Sequence, residues 1–446
     1  MSAPNKKMAI VVGGGPAPGI NSVIGAATIR AVLSGVEVVG ILDGFTHIMK
    51  GSVERVRNLT VDDVSRIHFR GGSYLGIARA NPTKSPELLE ATVQSLQRLD
   101  VNKLVTIGGD DTCFSASEIE RHSNGRLRVA HVPKTIDNDL DLPNNTDTFG
   151  FQTARHIGCE LLENLMVDAR TTHRWYFVVA MGRKAGHLAL GIGKAAGATL
   201  TLIPEEFPDG PIRLETVVDT LVCSIAKRIA QGRPDGVAVL AEGLVERMPE
   251  SDLAQLAGVE RDEHGHVRIA EIAIGDILKD RVQKRLAKFG IKTTIVAKNI
   301  GYELRCADPI PFDMAYARDL GYCAAMFLCE GGTGAMISMI ASVFRPLPFD
   351  TIMDRKTGRV RVRMVDVQSD RYMIARRYML RLRHDDFDDP IVLEKMASVL
   401  KITRDDFRRE FEHLVQDEPH PREFFSPDGD ARTSPLPRPS VRVSAK

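Results

Sequence analysis

The sequence lacks the features that mark a secreted, membrane-spanning or nucleic-acid-binding chain. Its six cysteines are scattered over 446 residues without a C-x-x-C pair, which fits reduced thiols better than a zinc site or a disulfide framework. It has no run of about 18 uninterrupted apolar residues, and its first residues, MSAPNKKMAIVVGGG, lack the apolar segment and cleavage site of a signal peptide. The 59 Lys and Arg residues nearly balance the 58 Asp and Glu residues, so the net charge is only +1. We therefore expect a cytoplasmic protein that binds neither nucleic acid nor a membrane.

Two missing patterns restrict the function further. No internal repeat indicates a solenoid or a propeller. The glycine-rich loop at residues 13–19 matches neither the G-x-x-x-x-G-K-S/T spacing of a P-loop nor a clean G-x-G-x-x-G followed by an acidic residue after the next strand. These differences argue against a P-loop nucleoside triphosphatase and against a nicotinamide-dependent oxidoreductase.

The length and apolar content predict more than one lobe. The chain is 43% apolar, and single hydrophobic cores stop growing near about 250–300 residues. Short apolar runs alternate with helical patterns, which predicts an α/β fold with mostly parallel strands. The predicted strands lie at residues 8–12, 36–42, 104–107, 129–132, 175–180, 199–203, 236–240 and 292–297. Past residue 340 the pattern becomes irregular, and the Pro- and Ser-rich segment from residue 417 predicts a flexible tail.

Acidic residues follow two of these strands. The run at 104–107 ends in Gly-Gly-Asp-Asp-Thr, and the run at 129–132 breaks at Pro133 into Lys-Thr-Ile-Asp-Asn-Asp. Because α/β sheets bind ligands beyond the carboxyl ends of their strands, these carboxylates, the lysine and the threonine predict a magnesium-phosphate site. Taken singly, each fragment is equally typical of a turn or a helix cap.

Other segments have a functional and a structural interpretation. The glycine loop at 13–19 precedes a helix, so its backbone N–H groups favour an anion, although it could be a simple turn. The loop at 70–79 carries two arginines that could follow phosphoryl charge. We expect His187 to be structural, Cys113 to be a packing residue, and the basic helix predicted at 371–383 to present a solvated face.

The motifs GGGPAPGINSVI, GGSYLGIAR, IGGDDT, PKTIDND, MGRKAGH, AEG and GYELR follow one another in an order and spacing that resembles the phosphofructokinase family, more closely its pyrophosphate-dependent branch. The resemblance covers residues 8–345. It implies a two-lobed phosphofructokinase-like fold, in which each lobe is a mostly parallel sheet flanked by helices. Residues 1–150 and 306–350 would form the donor lobe, residues 151–305 and 351–416 the sugar lobe, and residues 417–446 the tail.

The resemblance also implies a reaction, namely reversible, magnesium-dependent transfer of a phosphoryl group from pyrophosphate to the 1-hydroxyl of fructose 6-phosphate, in glycolysis and gluconeogenesis. Asp137 would be the base, Thr135 and Arg79 would contact the transferred group, and Asp110 and Asp139 would hold Mg²⁺. The residues implied for the diphosphate are Gly14 and Gly15, and those implied for the sugar phosphate are Thr135, Ile136, Asp137, Met181, Gly182, Arg183, Glu242, Tyr302, Glu303, Leu304 and Arg305.

The resemblance implies a shared active site as well. Arg174, seven residues before Met181, matches an arginine that the family sends across a subunit interface. The chain would therefore form a homodimer or a homotetramer. One departure concerns a second such arginine, whose position is occupied by Val296, with Lys298 as a possible substitute.

Two positions bear on the phosphoryl donor. ATP-dependent members typically have glycine at the places of Asp111 and Lys134, where it leaves room for the nucleotide. Here the Asp111 carboxylate would repel ATP, and Lys134 would stabilise the departing phosphate. The alternative roles of these two residues are a second metal ligand for Asp111 and a surface lysine for Lys134. The alternative functions of the chain are an ATP-dependent phosphofructokinase and a catalytically inactive regulatory homologue.

Overall fold

The computed structural model describes residues 7–254, 272–354 and 359–416, so the predicted tail lies outside the described residues. The strands are β1 (Lys7–Val12), β2 (Val38–Ile41), β3 (Val56–Leu59), β4 (Val101–Gly108), β5 (Arg128–Thr135), β6 (Phe149–Gly150), β7 (Trp175–Ala180), β8 (Leu200–Leu202), β9 (Gly236–Ala241), β10 (Ile295–Ile300), β11 (Ala335–Ile340) and β12 (Val343–Pro348).

Helices connect and cover these strands. They are α1 (Ile20–Leu33), α2 (Val61–Val64), α3 (Pro86–Arg98), α4 (Asp110–His122), α5 (Phe151–Thr172), α6 (His187–Ala196), α7 (Leu214–Ala230), α8 (Glu250–Ala254), α9 (Ile274–Lys288), α10 (Tyr302–Arg305), α11 (Pro311–Cys329), α12 (Phe349–Ile352), α13 (Asp370–Tyr378), α14 (His384–Asp388), α15 (Pro390–Leu400) and α16 (Arg404–Phe411).

The strands form two sheets. The larger has the order β12-β11-β5-β4-β1-β2-β3, with β6 beside β5, and the smaller has the order β10-β7-β9-β8. Only the edge pairs β2–β3 and β11–β12 are antiparallel among the described strands. The prediction of an α/β fold with mostly parallel sheets is confirmed.

Apolar side chains hold each sheet between helices. On one face of the larger sheet, β1 and β5 pack with α1 and α11, and on the other they pack with α3 and α4. The smaller sheet packs with α5, α6, α7 and α9 and with the helices after residue 370 around the fully buried Trp175. Full burial of one large apolar side chain contributes about 1.5–3 kcal/mol. The strands are therefore rigid supports for the loops at their ends.

Strand β5 differs from the sequence prediction. It does not break at Pro133 but continues to Thr135. Pro133 pairs with Gly108, the last residue of β4, and Lys134 and Thr135 pair with β6 instead. The proline removes a hydrogen-bond donor only where the ladder with β4 ends, so the strand tolerates it.

The prediction of a basic helix with a solvated face at 371–383 was wrong in extent and only partly right in environment, because some of its arginines are exposed and others are buried. The helix ends at Tyr378. Arg376 and Arg381, whose side chains are 9% and 8% exposed, both donate to Oε2 of Glu206, at 3.0 and 2.8 Å. A buried carboxylate needs cationic or hydrogen-bonding partners, and these arginines supply them.

Candidate active site at the carboxyl ends of the strands

Three loops meet at one edge of the larger sheet because β1, β4 and β5 are parallel neighbours. The Gly13 N–H donates to the Ile107 carbonyl at 2.9 Å, and the Gly14 N–H donates to the Ala78 carbonyl at 3.0 Å. These bonds join the loop after β1 to β4 and to the arginine loop that ends at Arg79. The exposed Arg79 thus lies beside the first glycine loop.

Glycine is required where these loops touch. A Cβ atom on Gly13 or on Gly108 would clash with the side chain of Thr112 in the first turn of α4. Gly14 adopts φ of 85°, a conformation that favours glycine. The glycine pattern therefore permits close backbone approach, and the N–H groups of Gly13 and Gly14 are used by the contacts between the loops. The next N–H, that of Gly15, is the one that can face an anion.

Asp110 and Asp111 occupy the first turn of α4, where the helix N-terminus favours negative charge. Oδ1 of Asp110 accepts a hydrogen bond from the Val360 N–H at 2.9 Å. Burial raises the pKa of Asp110 in spite of this bond. The Asp111 side chain is 64% exposed, and its Oδ1 lies 4.0 Å from Nη2 of Arg359.

Asp137 and Asp139 lie on the loop after β5 and are linked through Thr135. Oγ1 of Thr135 donates to Oδ1 of Asp139 at 3.2 Å and accepts from the Asp137 N–H at 3.0 Å. Burial raises the pKa of both carboxyl groups, and the charge of Asp139 raises that of Asp137 further. Oδ1 of Asp137 is buried without a hydrogen-bond partner among the described residues. A buried carboxyl oxygen of this kind is suited to accept a substrate proton.

Lys134 is buried directly below the first glycine loop. The residue is 5% exposed, and its Nζ donates to the carbonyl of Gly15. A Cβ atom on Gly14 would lie 3.8 Å from the same Nζ. Burial lowers the pKa of Lys134 to about 8, while the charge of Asp137 opposes the shift. The ammonium is thus placed beneath the predicted diphosphate loop.

This lowered pKa predicts a pH dependence of stability. Between about pH 8 and 10.5, Lys134 is protonated in the unfolded chain but largely neutral in the fold, so its destabilising effect should disappear as pH rises through that window. Replacing Lys134 with Met should therefore stabilise the protein most below pH 8. Urea unfolding of both proteins across the window checks this, and a pH-independent difference would contradict it.

The residues predicted to bind the sugar lie at the corresponding ends of the smaller sheet. β7, β9 and β10 lead into Met181, Glu242 and Gly301. Oε2 of Glu242 accepts from the Gly182 N–H at 3.2 Å, and the Met181 N–H donates to the Ile300 carbonyl at 3.0 Å. Parallel pairing of the three strands thus brings these segments together.

Charges from the smaller sheet also reach the acidic loop. Burial is the main cause of the raised pKa values of Asp137 and Asp139, and charges from the smaller sheet make smaller contributions. For Asp137, Arg305 opposes the rise and Glu242 adds to it. For Asp139, Arg183 opposes the rise. A Cβ atom on Gly15 would lie 3.7 Å from Cζ of Arg305. The loops of the two sheets therefore face one another across one cleft.

Several predicted residues occupy the rim of this cleft or its interior. Tyr302 is 80% exposed, and the Arg305 guanidinium lies 5.4 Å from its ring centroid. Oε2 of Glu303 accepts from the Gly301 N–H at 3.1 Å. The side chains of Ile136 and Leu304 are buried in hydrophobic packing, so only their backbone atoms can face a substrate.

Arg174 is not brought to this cleft. It precedes β7, whose six residues place it about 20 Å from the Met181 end of the strand. Its Nε lies 3.8 Å from Oδ2 of Asp168. Within one chain, Arg174 therefore belongs to a different surface.

The acidic groups have the chemistry of a magnesium site. The described residues contain no group of three or more His, Cys, Asp or Glu side chains arranged to hold a metal. Mg²⁺ is commonly bound by one or two carboxylates together with substrate phosphates and water, so two carboxylates suffice. Burial and then the neighbouring Asp111 are the main causes that raise the pKa of Asp110, and the charge of Asp139 adds a smaller effect. Asp110 and Asp139 are thus close enough to interact, and two such carboxylates fit the requirement of Mg²⁺.

The sequence interpretation missed Arg363 and Asn138. Arg363 donates to the Asn138 carbonyl from Nε at 3.2 Å and from Nη2 at 2.8 Å. The available signals were the alternating run R-V-R-V-R at residues 359–363 and an asparagine, which tolerates left-handed backbone, between two aspartates. Nε2 of His187 lies 3.1 Å from the Arg363 carbonyl oxygen, a contact of the kind expected for the predicted structural role.

Within the described ranges, no helix combines the length and apolar character needed to cross a bilayer.

Curated proteins resemble the chain over most of its length. The pyrophosphate–fructose 6-phosphate 1-phosphotransferase of Thermotoga maritima is 53% identical over 416 residues, covering 92% of this chain and 99% of that protein. The enzyme of the same name from Naegleria fowleri is 46% identical, covering 92% of this chain and 96% of that protein.

Solved structures share the fold at low identity. The pyrophosphate-dependent phosphofructokinase of Nitrosospira multiformis matches with a TM-score of 0.63 at 15% identity, covering 89% of this chain and 92% of that one. The phosphofructokinase of Saccharomyces cerevisiae matches with a TM-score of 0.62 at 20% identity, and the match covers 78% of this chain but only 44% of that longer chain. The family model described as Phosphofructokinase matches residues 7–328. The chain belongs to the phosphofructokinase family.

Proposed function

We propose that this chain transfers a phosphoryl group between pyrophosphate and the 1-hydroxyl of fructose 6-phosphate, giving fructose 1,6-bisphosphate and phosphate. The observation that carries the proposal is the buried ammonium of Lys134 below Gly15, within the field of the Asp137 carboxylate. The names of the two relatives that cover nearly the whole chain support the same donor and acceptor.

In this proposal each protein group has one task. Asp137 accepts the proton of the sugar 1-hydroxyl. At the same time the hydroxyl oxygen forms a bond to phosphorus, and the P–O bond between that phosphorus and the departing phosphate breaks. Lys134 and Arg79 stabilise charge on the phosphates, and Thr135 orients the transferred group. Gly14 and Gly15 line the diphosphate, to which the Gly15 N–H donates, because the Gly14 N–H is used by the Ala78 carbonyl. The loops of the larger sheet take the donor, and those of the smaller sheet take the sugar.

Asp110 and Asp139 would hold Mg²⁺, which would neutralise phosphate charge when bound. The protein groups described above then orient the substrates and handle the proton. The direct test of the metal is isothermal titration of Mg²⁺ in the presence of pyrophosphate, comparing the wild type with Asp110→Asn. Equal binding by both proteins would remove Asp110 from the site.

The test of the proposed function is a coupled assay of purified protein with fructose 6-phosphate and Mg²⁺, supplying pyrophosphate or ATP in turn. We expect turnover with pyrophosphate, production of pyrophosphate in the reverse direction, and negligible turnover with ATP. Turnover with ATP alone would establish the alternative donor. Inactivity with both donors would support a regulatory homologue.

We further propose that the site is completed by Arg174 of a second copy. Mixing Arg174→Ala with Asp137→Ala, each inactive alone, should restore partial activity because a mixed oligomer contains one site without either defect. The measurement is turnover after subunit exchange, demonstrated with differently labelled chains. Exchange without any recovery would contradict a shared site.

A further inference from the structure

The loop that carries Asp137 and Asp139 depends on an unusual backbone conformation. Asn138, between them, has φ of 56° and is only 5% exposed. Asparagine adopts left-handed backbone more readily than other non-glycine residues, but a buried asparagine still needs support from its surroundings to hold one such conformation. Any rotation at Asn138 would turn the two neighbouring carboxylates away from their present directions.

Arg363 supplies part of that support, beside Asp147 and Thr148, which are hydrogen-bonded to the Asn138 side chain. Besides the two bonds to the Asn138 carbonyl, its Nη2 donates to Oδ1 of Asn138 at 2.6 Å. Its Nη1 donates to the Thr146 carbonyl at 3.0 Å, and its backbone N–H donates to the Asp139 carbonyl at 2.7 Å. One arginine thus binds the backbone at both Asn138 and Asp139.

The segment around Arg363 also contacts the predicted sugar loop. The Arg363 carbonyl lies against His187, and Oε1 of Glu205 accepts from the N–H groups of Val365 at 3.0 Å and Gly186 at 2.8 Å. Arg363 is 8% exposed, and its guanidinium forms its bonds with carbonyl and amide oxygens. A buried cation is costly to desolvate, so these many bonds are needed to retain it.

We propose that Arg363 is a positioning residue, which holds Asn138 in its left-handed conformation and thereby aims Asp137 and Asp139 at the substrates. This inference rests on the proposed function for its chemistry. In this role Arg363 does not contact the substrate. Loss of its side chain should therefore lower kcat rather than raise KM, because misplacement of reacting groups by about 1 Å can cost roughly 10²-fold in rate.

The test compares Arg363→Ala and Arg363→Lys with Arg361→Ala. Arg361 lies on the same segment, with its side chain 56% exposed and its Nε 3.3 Å from Oδ2 of Asp141. For Arg363→Ala we expect a fall in kcat of about 10²-fold with little change in KM, and partial recovery on addition of guanidinium. Arg363→Lys should be intermediate, because a lysine cannot reproduce the forked contacts. Arg361→Ala should retain the wild-type rate.

A second readout does not depend on the donor. The Thr148 N–H donates to Oδ1 of Asn138 at 3.0 Å, so its hydrogen exchange should be faster in both Arg363 variants and unchanged in Arg361→Ala. If Arg363→Ala does not fold, kcat and the hydrogen exchange of Thr148 are both measured on Arg363→Lys. An unchanged kcat, or a loss that only follows the folded fraction and is not rescued, would overturn the inference. Wild-type turnover with pyrophosphate tests the proposed function separately, since the ratio of variant to wild-type kcat can be taken with whichever donor is active.

Discussion

Asp137→Asn should lower kcat by about 10²–10⁴-fold, the usual contribution of a general base. The substitution keeps the shape of the side chain but removes the oxygen that can accept a proton. Oδ1 of Asp137 is buried without a hydrogen-bond partner among the described residues, and burial keeps its pKa above the ordinary carboxyl range. Steady-state kinetics with the preferred donor measure the loss.

The control for this variant is Asp141→Asn. Asp141 follows the same loop but has a side chain that is 46% exposed and pairs with Arg361. We expect it to retain nearly wild-type kcat, while both variants unfold at nearly the wild-type temperature. A fully active Asp137→Asn would place the base elsewhere.

The double variant Asp111→Gly, Lys134→Gly should depress the reaction with pyrophosphate and admit some turnover with ATP. Most of the depression is expected from Lys134, because removing one buried group that stabilises developing charge typically costs about 10²–10³-fold. Asp111 should contribute less. Its side chain is 64% exposed, so its repulsion of a phosphate near 4 Å is close to the aqueous value of about 1 kcal/mol, which is about fivefold in binding.

Single variants separate the two effects. Lys134→Met should lose pyrophosphate turnover without gaining ATP turnover, and Asp111→Gly should mainly strengthen ATP binding. Lys103→Met is the matched control, because Lys103 is also 5% exposed but lies near the opposite end of β4. Unchanged pyrophosphate turnover in Lys134→Met would exclude the proposed role of Lys134.

The positions of the acidic loops could be predicted from the sequence because they depend on local patterns. Apolar runs that end in glycine and aspartate define strand ends, and the carboxyl ends of adjacent parallel strands share one edge of a sheet. Asp110, in the first turn of α4, and Asp137, on the loop after β5, therefore lie at the same edge of the sheet, as expected. The glycines could be recognised as well, although the clash that explains Gly13 and Gly108 involves Thr112 and is visible only in the fold.

The partners of buried charges were decided by tertiary structure alone. Arg363 lies 225 residues along the chain from Asn138, and Arg376 lies 170 residues from Glu206. Local patterns predict which residues share a face, but the low dielectric of a packed interior determines which charge must find a partner, and that partner depends on how distant segments pack. The sequence therefore determined that the acidic motifs follow the ends of parallel strands, and it determined the chemistry of their side chains. The fold determined that Lys134 lies beneath Gly15, that Arg174 lies at the opposite end of β7 from Met181, and that Arg363, which follows β12 in the chain, is hydrogen-bonded to the loop of Asp137 and Asp139.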